Sequence, residues 1–97
     1  MRHAIHPEAD AEFADAVRYY ADLDPQLGAR FYREIERLIR AACDQPGRYF
    51  RFSPPARRVL SQEFPYAVVY LEQPDRVWIV AVMHLKRRPG YWRKRLS

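Results

Sequence analysis

The stretch from Val77 to Met83 constrains the fold of this chain more than any other, because all seven of its residues are apolar. A strand with one solvent-exposed face alternates apolar and polar residues, whereas a strand covered on both faces is apolar throughout. The run therefore predicts a central strand with one layer packed on each face of its sheet. The chain has 97 residues, which suits one small domain spanning residues 1–97.

Two amphipathic helices supply one of these layers. Their starts are marked by His6-Pro7 and by Asp24-Pro25, where a capping side chain or a boundary residue precedes a first-turn proline. Between these marks and Gln45, apolar residues recur three or four positions apart, as on one face of a helix. They are Ala9, Phe13, Val17 and Tyr20, then Leu27, Phe31, Ile35, Leu38, Ile39 and Ala42. The short break between the helices predicts an antiparallel hairpin.

Three further strands complete the predicted architecture. We place them at residues 1–5, 57–62 and 66–71, the last being rich in β-branched and aromatic residues. The result is an α+β fold of order β-α-α-β-β-β, with the helical hairpin packed on a mainly antiparallel sheet and a basic C-terminal tail. The helices cover only one face of the central strand, so we expect a partner to cover the other.

Charge divides the chain into two halves. Residues 1–47 hold six arginines against nine acids, a net of −3, whereas residues 48–97 hold eleven basic residues against three acids, a net of +8. The last twelve residues carry six of the seventeen basic residues. This asymmetry indicates a polyanionic or acidic partner for the back half.

Several classes of function are disfavoured by the residue inventory. Cys43 is the only cysteine and there are three histidines and three glycines, so we expect no metal site, no cofactor and no glycine-rich phosphate loop. The first residues contain no apolar run, and the longest apolar run is far shorter than a membrane span. We expect a soluble, cytoplasmic protein with no membrane partner.

The candidate functional residues lie in the basic half, and each has a structural alternative. Tyr91 and Trp92 stand within the basic tail, where aromatic rings can stack on bases or fill a pocket, or can fold back onto the sheet. Arg57 and Arg58 can clamp a phosphate or a carboxylate, or can protect an edge strand. His84 can act as an acid or base near neutral pH, or can be a hydrogen-bonded imidazole at a strand end.

Taken in order, several segments resemble the RelE/ParE toxin superfamily of bacterial type II toxin–antitoxin systems, the plasmid stabilisation proteins. They are residues 6–13, Pro25-Gln26-Leu27-Gly28-Ala29-Arg30-Phe31, Arg57-Arg58, residues 64–70, residues 81–84 and Arg88-Pro89-Gly90-Tyr91-Trp92. The resemblance implies the same element order as the periodicity. It also implies a cognate antitoxin whose acidic, partly disordered arm wraps the toxin, and we expect that arm on Arg18, Tyr19, Arg33 and Arg37.

The superfamily has two branches with different targets. RelE-like members cut mRNA on the ribosome and carry a basic residue in a Tyr-Arg-x-x-Tyr strand motif, where this chain has Ala67 between Tyr66 and Tyr70. ParE-like members poison DNA gyrase without a hydrolytic site, and the sequences of residues 27–31 and 64–66 resemble this branch.

We therefore expect a ParE-like gyrase inhibitor that acts by binding, neutralised by its antitoxin. The residues expected to contact the target are Arg57, Arg58, Arg87, Arg88, Tyr91, Trp92 and Arg93. The alternative is a ribosome-dependent mRNA endonuclease in which His84 or Tyr91 is the acid or base and Arg58, Lys86 and Arg87 hold the phosphate. A third possibility is a non-toxic relic that only binds the antitoxin.

Overall fold

The fold follows the predicted order of elements. A computed structural model describes residues 1–96 of the chain. Strand β1 (His3–Ile5) leads into helices α1 (Pro7–Leu23) and α2 (Pro25–Asp44), and these are followed by β2 (Arg57–Leu60), β3 (Tyr66–Glu72) and β4 (Val77–His84). A short 3₁₀ turn, Arg93–Arg95, lies in the tail. The α+β prediction is confirmed, although β2 ends two residues earlier than expected.

The sheet places the apolar strand in its interior, as its composition requires. The strand order is β1-β4-β3-β2. Strand β1 pairs with β4 in parallel, and the other two pairings are antiparallel. Strand β4 has a hydrogen-bonded neighbour on each side and a packed layer on each face.

Both helices begin as the sequence predicts. The Nδ1 atom of His6 accepts the N–H of Glu8 at 3.0 Å, and Oδ1 of Asp24 accepts the N–H of Gln26 at 3.0 Å. A proline then occupies the first position of each helix, where a missing N–H costs nothing.

The helical layer packs on one face of the sheet through the apolar helix faces that the sequence predicts, here called the apolar stripe. Phe31, Ile35 and Leu38 of α2 are fully buried and pack in one cluster with Val68 and Ile79 of the sheet. Partly buried Tyr20 joins this cluster, with its ring 4.9 Å from that of Phe31.

Gly28 allows the two helices to approach each other closely. A Cβ atom added there would lie 2.6 Å from the Cβ of Ala21 and 2.7 Å from its Cα. Any larger residue at this crossing would push the helices apart, so the hairpin geometry depends on this glycine.

The second face of the sheet is covered by the chain itself. Trp92, only 1% exposed, packs there with Ala67, Val69, Val80 and Met83. The expectation that a partner must cover this face was therefore wrong. Sequence periodicity could not reveal this cover, because a single tryptophan in an irregular tail has no repeat.

Candidate functional site

Two side chains fix the basic tail to the sheet where β1 ends. Strand β1 stops at Ile5, opposite Ile79, so the next part of β4 has no strand on that side. There the Val82 N–H donates to Oε1 of Glu12 at 3.1 Å, and the Val80 carbonyl accepts from Nη1 of Arg95 at 3.0 Å. A helix residue and a tail residue thus satisfy backbone groups that a longer β1 would have satisfied.

Glu12 and Arg95 also bind each other. Two hydrogen bonds of 3.0 Å join their side chains, and Arg95 is 8% exposed. The Nε atom of Arg95 lies 2.8 Å from a carboxylate oxygen of Glu8. Burial acts to lower the pKa of Arg95, but its carboxylate partners outweigh burial and leave that pKa raised. We call this pair the Glu12–Arg95 clasp.

With the tail held in this way, three predicted target-binding arginines meet at one groove. Arg58 of β2 and Arg87 and Arg93 of the tail line it, together with Met83, Leu85 and Trp92. Its volume is about 310 Å³, and its lining within residues 1–96 includes no carboxylate. We call it the arginine groove.

Each arginine of the groove is ordered by an aromatic ring. A guanidinium within about 6 Å of a ring centroid gains a cation–π attraction and loses rotamer freedom. The Oγ atom of Ser53 also accepts a 2.6 Å hydrogen bond from Nη2 of Arg93. The stacked pairs are Arg58 over Phe52 at 4.6 Å, Arg87 over Tyr91 at 3.8 Å and Arg93 over Trp92 at 5.8 Å.

The other predicted target-binding residues lie elsewhere. Side chains alternate between faces along a strand, so Arg57 is directed away from its neighbour Arg58. The guanidinium of Arg57, 13% exposed, donates to the Tyr49 carbonyl at 2.8 Å and lies 3.5 Å from the Glu72 carboxylate. Arg88 is exposed and lines a different pocket, together with Tyr91. Trp92 forms part of the core and the groove wall rather than an exposed contact.

The two residues considered as acid or base, His84 and Tyr91, line different pockets, and Arg87 lines both. His84 accepts the Lys86 N–H on Nδ1 at 3.0 Å and lines a pocket of about 240 Å³ with Tyr66 and Arg87. Lys86 is exposed in the turn that follows β4. The hydroxyl of Tyr91 is buried in a separate pocket, and burial, reinforced by nearby Glu12, raises the pKa of Tyr91.

An apolar groove of about 570 Å³ lies between the two helices beside β1. We call it the helix groove. Phe13, Val17, Tyr32 and Ile39 line it, and among its polar lining residues are Arg18, Arg40, Asp10 and Glu36. Sequence reasoning missed Tyr32 and Arg40, although their helical spacing from the buried stripe could have indicated them.

Only one predicted antitoxin-binding residue lines the helix groove. Arg18 lies there, with Nη1 3.3 Å from Oδ1 of Asp15. Tyr19 is 62% exposed and lines the His84 pocket instead. Arg33 is exposed on α2. Arg37 makes two hydrogen bonds, of 2.8 and 3.0 Å, to buried Glu34.

Comparison with known proteins identifies the class to which this chain belongs, the toxins of type II toxin–antitoxin systems. A family model described as the ParE toxin of the type II system parDE matches residues 4–89. The chain belongs to this ParE toxin family. The matched region ends before Trp92, Arg93 and Arg95, so it contains neither the clasp arginine nor the whole of the arginine groove.

A solved structure has the same fold. Its description is the chromosomal ParDE TA system from P. aeruginosa, and the TM-score is 0.75 at 14% sequence identity. The alignment covers 87% of this chain and 95% of that chain. A search of curated proteins found no match. Within residues 1–96, no helix is long and apolar enough to cross a membrane.

Proposed function

We propose that this toxin stops growth by binding DNA gyrase through the arginine groove, without carrying out chemistry itself. The observation that carries the proposal is the convergence of Arg58, Arg87 and Arg93 around an apolar floor. Desolvated or stacked arginines beside buried aromatic residues are typical of binding hot spots. Membership of the ParE toxin family supports the choice of gyrase.

Two features favour binding over phosphodiester cleavage. Ala67 is fully buried beneath the tail, so a methyl group occupies the position at which the resemblance places a basic residue in cutting enzymes. The raised pKa and buried hydroxyl of Tyr91 make it a poor general base near neutral pH.

The proposal is tested by expressing the chain without an antitoxin. Gyrase poisoning predicts filamentation and a DNA-damage response while translation continues. R58Q/R87Q/R93Q is expected to abolish both effects, whereas R2Q/R33Q/R76Q, which removes the same charge outside the groove, is expected to retain them. Immediate translation arrest without DNA damage would contradict the proposal.

Ribosome-dependent mRNA cleavage is the second candidate. It is supported by the shared pocket of His84, Tyr66 and Arg87, which an imidazole and a cation line together. Primer extension on ribosome-bound transcripts after induction tests it, because cleavage would produce new ends that disappear in H84A. If expression without the antitoxin caused neither DNA damage nor translation arrest, the result would instead favour the relic that only binds the antitoxin.

We further propose that the antitoxin arm occupies the helix groove. The groove offers apolar surface to the arm's hydrophobic side chains, while Arg18 and Arg40 can pair with its acidic residues. A charge reversal, R18E/R40E, is expected to weaken antitoxin binding at least about tenfold, since repulsion replaces attraction. R33E/R48E, which reverses two exposed arginines outside the helix groove, is the matched control, and equal losses in both proteins would refute this assignment.

A further inference from the structure

The arginine groove has the chemistry of a binding site for a nucleic-acid strand. Each of its three arginines lies over an aromatic ring, and most of their N–H groups are not engaged by acceptors within the described residues. Arg58 has no carboxylate within ion-pair distance in the described residues, and Arg93 has only the Ser53 hydroxyl. Arg87 lies 3.9 Å from Glu12, but Glu12 is already engaged by the clasp.

The floor of the groove suits bases better than a second protein's charged side chains. Leu85 is 45% exposed there and lies beside Met83, Pro89 and the wall formed by Trp92. The guanidinium planes can stack on any base and the apolar floor can contact it, while arginine edges bind phosphate. A groove of about 310 Å³ therefore combines cations at its rim with a stacking surface inside.

The backbone around the groove disfavours the main alternative, an acidic peptide bound as an added strand. Peptides that join a sheet need a free row of N–H and C=O groups. Strands β3 and β4 beneath the groove are paired on both sides, and the clasp occupies the part of β4 beyond β1. Strand β2 is the edge strand beside the groove, and on its outer side the Arg58 N–H is already bonded to the Phe50 carbonyl at 3.3 Å.

From these observations we infer that the arginine groove binds single-stranded DNA by its phosphates, with a base against the apolar floor. The choice of DNA over RNA rests on the proposed function, since gyrase acts on DNA. In that setting the groove would contact the DNA that gyrase holds, so that the toxin binds the gyrase–DNA complex.

Fluorescence anisotropy with a labelled oligo-dT strand tests the inference on the full chain. If three phosphates are contacted, the slope of log K against log salt is about −2, so raising salt from about 50 to about 200 mM weakens binding roughly 16-fold. R58Q/R87Q/R93Q is expected to lose at least about tenfold in affinity and most of this slope. R58K/R87K/R93K keeps the charges, so it should keep the slope while losing the contribution of the planar, stacked guanidinium.

The matched control is R2Q/R33Q/R76Q, which lowers net charge equally outside the groove lining. Equal losses in the two glutamine variants would overturn the inference, because only net charge would then matter. Absence of binding at low salt would also overturn it. An acidic peptide that displaces the oligonucleotide at equal concentration would reassign the groove to a protein partner, and an oligo-U strand that binds more tightly would reassign it to RNA.

Gyrase supercoiling assays on the same variants separate the two proposals. Inhibition of gyrase by a chain that binds no oligonucleotide would refute the DNA inference and leave the proposed function standing. Oligonucleotide binding without gyrase inhibition would refute the proposed function and leave the groove as a DNA site.

Discussion

Replacement of Glu12 by glutamine tests how strongly the clasp holds the tail. The change keeps the size of the side chain and one oxygen that can accept the Val82 N–H, but it removes the negative charge that faces Arg95 at 3.0 Å. Loss of one partner from a buried ion pair costs about 3–5 kcal/mol when the other charge is left uncompensated. Here Arg95 keeps the Val80 carbonyl and Glu8, so we expect E12Q to lower the free energy of unfolding by about 2–3 kcal/mol.

Urea unfolding followed by circular dichroism measures this loss, which corresponds to a fall in melting temperature of roughly 10–20 °C for a domain of this size. Trypsin cleavage in the tail, which holds Arg93 and Lys94, should accelerate in parallel because the clasp no longer holds that segment against the sheet.

The matched control is E8Q, which removes the other carboxylate that contacts Arg95. Glu8 is 55% exposed, so its contribution is screened by solvent and we expect a loss below about 1 kcal/mol. If E12Q and E8Q both change stability by less than about 0.5 kcal/mol, the clasp does not stabilise the tail and the reasoning fails.

Three other changes probe the helical layer. F31A removes a fully buried ring and should cost about 3–5 kcal/mol, and a melting temperature unchanged within a degree or two would show that the stripe is not core. G28A should destabilise measurably because its Cβ would meet Ala21 at 2.6 Å, whereas G47A, whose nearest neighbour is 3.7 Å away, should not; equal effects would contradict the close-approach argument. The hydrogen bond from Arg37 is the main cause that lowers the pKa of Glu34 in the folded protein. The stabilisation that results is fully present above the ordinary glutamate pKa of about 4.3, and it is lost as the pH falls through the lower pKa of the folded state. The free energy of unfolding of E34Q should therefore fall less steeply below that pH than that of the wild type. Parallel acid unfolding curves for the two proteins would refute the assignment.

The sequence predicts most of the fold because its signals are local and periodic. Three local patterns each predict one element directly, and all three predictions are confirmed. They are the apolar helix face that contains Phe31, the cap at Asp24 and the apolar run that begins at Val77. The resemblance to the toxin superfamily is confirmed by the family match.

What the sequence misses depends on contacts between distant residues. Glu12 and Arg95 are 83 positions apart, and neither has a pattern that predicts the other. Burial of Trp92 is likewise a contact between distant residues, because Trp92 packs on Ala67 and Val69 of the sheet. The separation of Arg57 from the arginine groove follows from strand alternation and could have been predicted from the strand assignment alone.

Supercoiling of relaxed plasmid by purified gyrase tests the central proposal, that this ParE-family toxin acts on gyrase through the arginine groove, most directly. We predict that the wild-type chain blocks supercoiling and traps a gyrase–DNA cleavage complex, that R58Q/R87Q/R93Q does neither, and that R2Q/R33Q/R76Q behaves like the wild type. Full supercoiling activity in the presence of excess wild-type chain, with no trapped complex, would contradict the account.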